Sequence, residues 1–248
     1  MNLKRTTWIL TGASRGIGRA LALALAKRGA RLVLNARHAA PLAEVAAAVR
    51  EAGGEATFVE GSAAEAEVAK KLVRAAEGLG PLTGFIHNAG VLHAGPLLWE
   101  LPEAHWDEVF DANVKAGYQL IRFAVPVMRQ RGEGVAVFFG SGAAESNVPG
   151  IGAYAVAKAA EEHLARQLAA EAPEITSFVY RPGVVETRMQ EEARRAEGGA
   201  AEVLHRIFGG YKEQGVLIPP ETAAEGLIRV LEGDVHKHHG RVVSWGEA

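Results

Sequence analysis

Seven short runs rich in apolar and β-branched residues, at positions 7–10, 32–35, 56–59, 84–87, 135–139, 177–180 and 241–244, punctuate the chain, and longer stretches of helical character separate them. Connections of that length suit crossovers between parallel strands, because antiparallel neighbours can be joined by a tight turn. A parallel sheet must be covered on both faces, so the pattern predicts an α/β fold, a doubly wound sandwich around one sheet of seven parallel strands. At 248 residues the chain can fill one large domain, and positions 1–248 are read as a single domain.

Local signals support the intervening helices. Ile17, Leu21 and Leu25 form one stripe, and Gly29 follows as a stop. Pro41 stands near the start of an Ala-rich second helix that Gly53-Gly54 closes, and Pro220 with Glu221 opens a helix running to about Leu231. The stretch from about 184 to 215 departs from the pattern. It is long, charged and helical in character, and its glycines at 198, 199, 209, 210 and 215 can serve as hinges, so it is expected to be a lid over a ligand.

Charge is nearly balanced, with 27 basic and 29 acidic side chains. Nothing in that balance favours nucleic acid or an anionic membrane as a partner. Cysteine is absent, which excludes disulfides and thiolate chemistry. The first ten residues lack the apolar length of a secretion signal, and the most apolar helical stretch, 20–26, is far shorter than the roughly 20 residues a membrane span requires. A cytoplasmic location is the expectation.

The first run leads into Thr11-Gly-Ala-Ser-Arg-Gly-Ile-Gly18, and a helix follows at once. Glycines at 12, 16 and 18 permit a tight turn and a close approach of backbone to ligand, while the helix start offers unpaired N–H groups to a pyrophosphate. No phosphoryl-transfer loop of the Gly-x-x-x-x-Gly-Lys-Ser/Thr type occurs. At the end of the second run, NAD-binding folds usually carry a carboxylate for the ribose hydroxyls, but here the residues are Asn35-Ala36-Arg37. Arg37, helped by Arg15, can pair with a 2′-phosphate, which favours NADP(H) over NAD(H).

Tyr154 and Lys158 are four residues apart, with Ser141 thirteen positions upstream. On a helix, i and i+4 share a face, so a phenol and an ammonium can converge. A free tyrosine, with a pKa of about 10, exchanges protons poorly at neutral pH; a fixed cation beside it stabilises the phenolate, and lowering the value by about 3 units takes only about 4 kcal/mol.

Taken together, Thr11-Gly-x-x-x-Gly-x-Gly18, Asn88-Ala89-Gly90, Asn113, Ser141, Tyr154-x-x-x-Lys158 and Pro182-Gly183 resemble the short-chain dehydrogenase/reductase family over nearly the whole chain. The resemblance implies a Rossmann-like sheet with the cofactor lying across the strand ends. It also implies a catalytic tetrad of Asn113, Ser141, Tyr154 and Lys158. Tyr154 would give a proton to a carbonyl oxygen, Ser141 would hydrogen-bond that oxygen, and Lys158 would acidify Tyr154 and hold the nicotinamide ribose. Asn113 would hold a water connecting Lys158 to solvent.

By the same resemblance, the cofactor is expected against Gly12, Ser14, Arg15, Gly16, Ile17, Gly18, Arg37, Ser62, Asn88, Ala89 and Gly90, and, on the nicotinamide side, Tyr154, Lys158, Pro182, Gly183, Val185 and Thr187. Two positions depart from the family pattern. His87 stands where a second asparagine is common and is read as structural. After the third strand, where an acidic residue commonly caps the adenine, the chain reads Glu60-Gly61-Ser62, leaving Ser62 as the nearest substitute.

Leu92, His93, residues 147–151 and 184–189 are expected to border the substrate. Most are apolar, which suits a hydrophobic ketone or aldehyde and the corresponding alcohol. The stretch 182–190 is also similar to the sepiapterin reductase and benzil reductase branch. A 3-oxoacyl carrier-protein reductase and a dinucleotide sensor without activity stand as alternatives. His236, His238 and His239 lack a carboxylate at ligand spacing and are read as solvated loop residues, with no metal site. Pairing of helices equivalent to 102–131 and 151–170, as in the family, implies a homodimer or homotetramer.

Overall fold

Side chains alternate along each strand, and the alternation divides them between two cores. On β1 (Thr7–Thr11), Trp8 and Leu10 enter one cluster while Ile9 enters another. The computed structural model describes residues 1–247 and carries six further strands: β2 (Arg31–Ala36), β3 (Glu55–Glu60), β4 (Leu82–His87), β5 (Gly134–Phe139), β6 (Ile175–Arg181) and β7 (Val242–Ser244). Every pairing is parallel, in the order β3-β2-β1-β4-β5-β6-β7. The seven-stranded sheet matches the architecture expected from the sequence.

Helices α1 (Gly16–Lys27), α2 (Ala39–Glu51) and α9 (Pro220–Glu232) cover one face, bringing Leu21, Leu25, Leu42, Val45, Leu227 and Ile228 onto Trp8, Leu34 and Phe178. Helices α3 (Ala66–Leu79), α5 (Ala116–Arg129) and α6 (Gly152–Glu171) cover the other, setting Leu72, Leu120 and Ala165 against Ile9, Phe85 and Phe138. Both faces of β1 and β5 are consequently buried, which is why these strands read as nearly unbroken apolar runs.

Successive strands run outward in opposite directions from β1 and β4, so the crevice beyond the C-terminal ends of these two strands is the topological switch point. Three features surround it. The glycine loop joins β1 to α1. Helix α4 (Glu103–Phe110) runs into α5 through a π-helical turn, Asp111–Lys115. After β6 come α7 (Arg188–Arg194) and α8 (Ala201–Glu213), which fall within the stretch read as helical from sequence. Among the described residues, no helix is long and apolar enough to cross a membrane.

Candidate active site

Gly12 and Gly16 have φ of 66° and 53°, where a side chain is strained. Gly18 is needed for space: a Cβ there would lie 2.1 Å from the Gly12 carbonyl oxygen. At Gly12 a Cβ would meet the Ala89 backbone at 2.8 Å, because the Asn88-Ala89-Gly90 segment is laced to the loop. Asn88 Nδ2 donates to the carbonyls of Thr11 and Gly12, and the Thr11 hydroxyl accepts from the N–H groups of Asn88 and Ala89. Helix α1 begins at Gly16 with no side-chain cap, so its first N–H groups face the loop. Flexible backbone at an uncapped helix start fits a dinucleotide pyrophosphate. Ser14, Arg15 and Ile17 occupy the same turn, with Arg15 exposed.

His87 links this loop to the π turn. Its Nε2 lies 3.2 Å from the carbonyl of Asn113, which can only accept, so Nε2 carries the proton and Nδ1 accepts from the Thr11 hydroxyl at 3.0 Å. Burial, reinforced by the charge of Lys158, pulls His87 down to about 3, so the ring is neutral. The sequence reading of His87 as structural agrees with these contacts. Asn113 itself is fully buried; its Nδ2 donates to the carbonyls of Val91 and Val109, whereas Oδ1 has no protein partner. The π turn accounts for an asparagine within a helix: the widened turn lets its amide reach the Val109 carbonyl and the strand-end segment together. A Cβ at Gly90 would sit 2.7 Å from Asn113 Oδ1 and 3.8 Å from Lys158 Nζ, so both polar groups overlook that glycine.

On α6, Lys158 Nζ lies 5.7 Å from the centroid of the Tyr154 ring. It donates to the carbonyl of Phe139 and to Glu161 Oε2, each at 2.7 Å. Burial pulls the ammonium down, but Glu161, Tyr154 and Glu162 more than offset it and hold the group above its ordinary value. Burial also raises the Glu161 carboxyl, to about 7, against the opposing pull of Lys158.

The adjacent Glu162 accepts from the N–H of Ser141 at 3.2 Å and from both Nε and Nη2 of Arg181. The Ser141 hydroxyl oxygen accepts from the N–H of Ala143 and so caps a short 3₁₀ turn after β5. Glu161, Glu162 and Arg181 escaped the sequence reading. The available signal was their spacing: acids at i+3 and i+4 from Lys158 share its side of the helix.

At the outer end of the crevice, Arg37 is exposed and ion-paired with Glu108 of α4. Glu108 also accepts from His93 at 2.7 Å, and the His93 ring stacks on His105 at 3.9 Å. Hence His93, expected at the substrate, turns toward α4. Ser62 caps a turn by accepting from the Ala64 N–H.

Beyond β6, Pro182 precedes Gly183, whose φ is 81°, and Val185 is buried and bridged to Ile218. Thr187 is the N-cap of α7; a Cβ on Gly16 would touch its Cγ2 at 3.5 Å, so this segment faces the glycine loop. Leu92, Ile151, Ala193 and Leu204 form a small apolar cluster against which Tyr154, Val148, Met189 and Phe208 pack. Two of the glycines read as hinges are tightly packed. A Cβ at Gly198 would be 3.0 Å from Gly95 and Pro96 backbone, and the Gly199 N–H donates to Glu100.

His236 Nδ1 bonds the Thr176 hydroxyl, and His239 bridges the Ser177 N–H and the Ala169 carbonyl. Among the described residues no cluster of three His, Asp or Glu side chains could hold a metal ion.

A model of the family described as short chain dehydrogenase matches residues 6–198. An uncharacterized oxidoreductase of Schizosaccharomyces pombe is 32% identical over 242 residues, covering 96% of this chain and 95% of its own. The NADPH-dependent pterin aldehyde reductase of Arabidopsis thaliana is 30% identical over 184 residues, 74% of this chain and 76% of its own. Among solved structures, alcohol dehydrogenase from the archaeon Thermococcus sibiricus, complexed with 5-hydroxy-NADP, superposes with a TM-score of 0.81 at 26% identity, covering 97% of this chain and 96% of that one.

Proposed function

This chain belongs to the short chain dehydrogenase family of oxidoreductases, and on that premise we propose that it interconverts a carbonyl and a secondary or primary alcohol with NADP(H), using Tyr154 as general acid and base. The observation that carries the reading is the placement of a charged, buried Lys158 within 5.7 Å of the Tyr154 ring, beside Asn113 Oδ1 and Gly90. When bound, the nicotinamide would supply or accept the hydride.

In this reading the Tyr154 hydroxyl gives its proton to a carbonyl oxygen and recovers it later, with the Lys158 ammonium as the fixed positive charge beside it. Ser141, its oxygen already engaged by the Ala143 N–H, keeps its own hydrogen free to donate to the same oxygen and to stabilise charge developing there. Asn113 Oδ1, buried and unpaired beside Lys158, suits a water through which the ammonium is reprotonated.

Gly12, Ser14, Arg15, Gly16, Ile17, Gly18 and Asn88 to Gly90 would hold the pyrophosphate and adenosine, with Ser62 near the adenine. Pro182, Gly183, Val185 and Thr187 would hold the nicotinamide side. Preference for NADP(H) over NAD(H) rests on Arg15 and Arg37 and on the lack of a carboxylate at the end of β2. A relative that is an NADPH-dependent pterin aldehyde reductase and a neighbour bound to 5-hydroxy-NADP support it. The apolar cluster around Tyr154 favours a hydrophobic aldehyde or ketone, with residues 184–215 forming the cover of that pocket within one domain. Exposed Tyr118 of α5 and Val156 of α6 provide apolar contacts for a homodimer or homotetramer.

The test is the loss of NADPH absorbance with a panel of aldehydes, diketones and acyl thioesters. Tyr154→Phe should lower kcat/KM by about 10³-fold with NADPH affinity little changed. A variant that retained turnover would remove Tyr154 from this mechanism. Cofactor binding without turnover in the unaltered protein would favour a sensor instead.

A further inference from the structure

We propose that Glu161 is a positioning residue of this site, whose buried carboxylate is the counter-charge that keeps the Lys158 ammonium charged and fixed below Tyr154. The inference rests on the catalytic reading of Tyr154 and Lys158 given above and adds a third member to their helix face. Lys158 is 4% exposed and Glu161 is fully buried, with 2.7 Å between Nζ and Oε2. Two of the three ammonium hydrogens are committed below the site, to Glu161 and to the Phe139 carbonyl, which orients the third.

A buried ammonium without a partner tends to give up its proton, and a neutral amine would exert no cationic field on the Tyr154 hydroxyl. The Phe139 carbonyl can orient the amine but supplies no charge. Other ionisable groups around the pair are already engaged or neutral. His87, at the end of β4, has Nε2 3.6 Å from Glu161 Oε1, but its proton is directed to the Asn113 carbonyl and the ring is neutral. Glu162, next on α6, is clamped by Arg181 from the end of β6, which also pairs with Glu145. Asp111 and Lys115 of the π turn pair with each other at the surface. Glu161 is therefore the anion left to Lys158. Its second oxygen, Oε1, has no hydrogen-bond partner.

The experiment follows the side-chain carbon resonances of ¹³C-labelled lysine through a pH titration of the cofactor-free protein, with Lys158 assigned by its loss in Lys158→Arg. In Glu161→Gln, which keeps the shape and removes the charge, the Lys158 midpoint should fall by about two units or more while the other lysines stay in place. Glu161→Asp, which restores the charge at a longer reach, should recover part of that loss and provides the same readout if the glutamine variant does not fold. The pH profile of NADPH-dependent aldehyde reduction should lose its alkaline side at correspondingly lower pH in Glu161→Gln. A Lys158 midpoint within about half a unit of the unaltered protein would overturn the proposal. Because the titration uses neither cofactor nor substrate, failure of turnover would count against the oxidoreductase chemistry and leave the Glu161 result to be judged separately.

Discussion

Beneath Tyr154, the polar side chains of Thr11, His87, Asn113, Lys158, Glu161 and Glu162 are buried and hydrogen-bonded at strand ends, a π turn and a helix, whereas at the outer end of the same crevice Arg15 and Arg37 stand in solvent. The two regions answer different physical demands. A group buried without its partner costs the full desolvation penalty, so the floor tolerates few arrangements and is held in one of them. An exposed arginine can swing from Glu108 to a phosphate at little cost, because water and salt already screen both contacts. Rigidity sits under the proposed proton donor, and adaptability sits at the proposed phosphate contact.

The contrast can be broken most sharply at His87. Its ring is held neutral at about 3 in the fold and protonates near 6.5 when unfolded, so its contribution to stability is present above about pH 6.5 and is lost as pH falls toward 3. Chemical denaturation at several pH values should show the stability difference between the unaltered protein and His87→Asn changing by on the order of 4 kcal/mol, to the disadvantage of the histidine form, between pH 6.5 and 3. A pH-independent difference would mean that His87 is not buried as described.

Next in size is Gly18→Ala. With its Cβ brought to 2.1 Å from a backbone oxygen, this change should cost about 3 kcal/mol of stability and should abolish NADPH binding, as thermal melting and fluorescence titration would reveal. A fully stable Gly18→Ala protein would show that the loop is looser than the floor it adjoins. The smallest effect belongs to the outer end. Arg37→Ala should weaken NADPH binding by about tenfold, leave NADH binding within about twofold, and hardly alter the melting temperature. Equal losses for both cofactors would shift the 2′-phosphate contact away from Arg37.

Much of the architecture was legible because the relevant constraints are local. Trp8, Ile9 and Leu10 announce a strand buried on both faces, and the positive φ of Gly12 and Gly16 requires glycine wherever the chain makes that turn. Tyr154 and Lys158 meet through helical spacing alone. Less could be inferred for His93, whose partners Glu108 and His105 both come from helix α4. Gly198 looked like a hinge by composition, but its packing against the 95–96 backbone depends on a contact about a hundred positions away.

By itself, then, the sequence determined the alternation of strands and helices, the glycine turn and the Tyr154–Lys158 face, since backbone sterics and helical periodicity act between near neighbours. Only the tertiary structure decided that His87 is neutral, that Arg37 rests on Glu108, and that Glu161 serves Lys158 while Glu162 serves Ser141 and Arg181. The physical reason is that charge state and partner choice follow from burial. Burial is set by which distant segments close over a group, and the residues flanking it do not encode that closure.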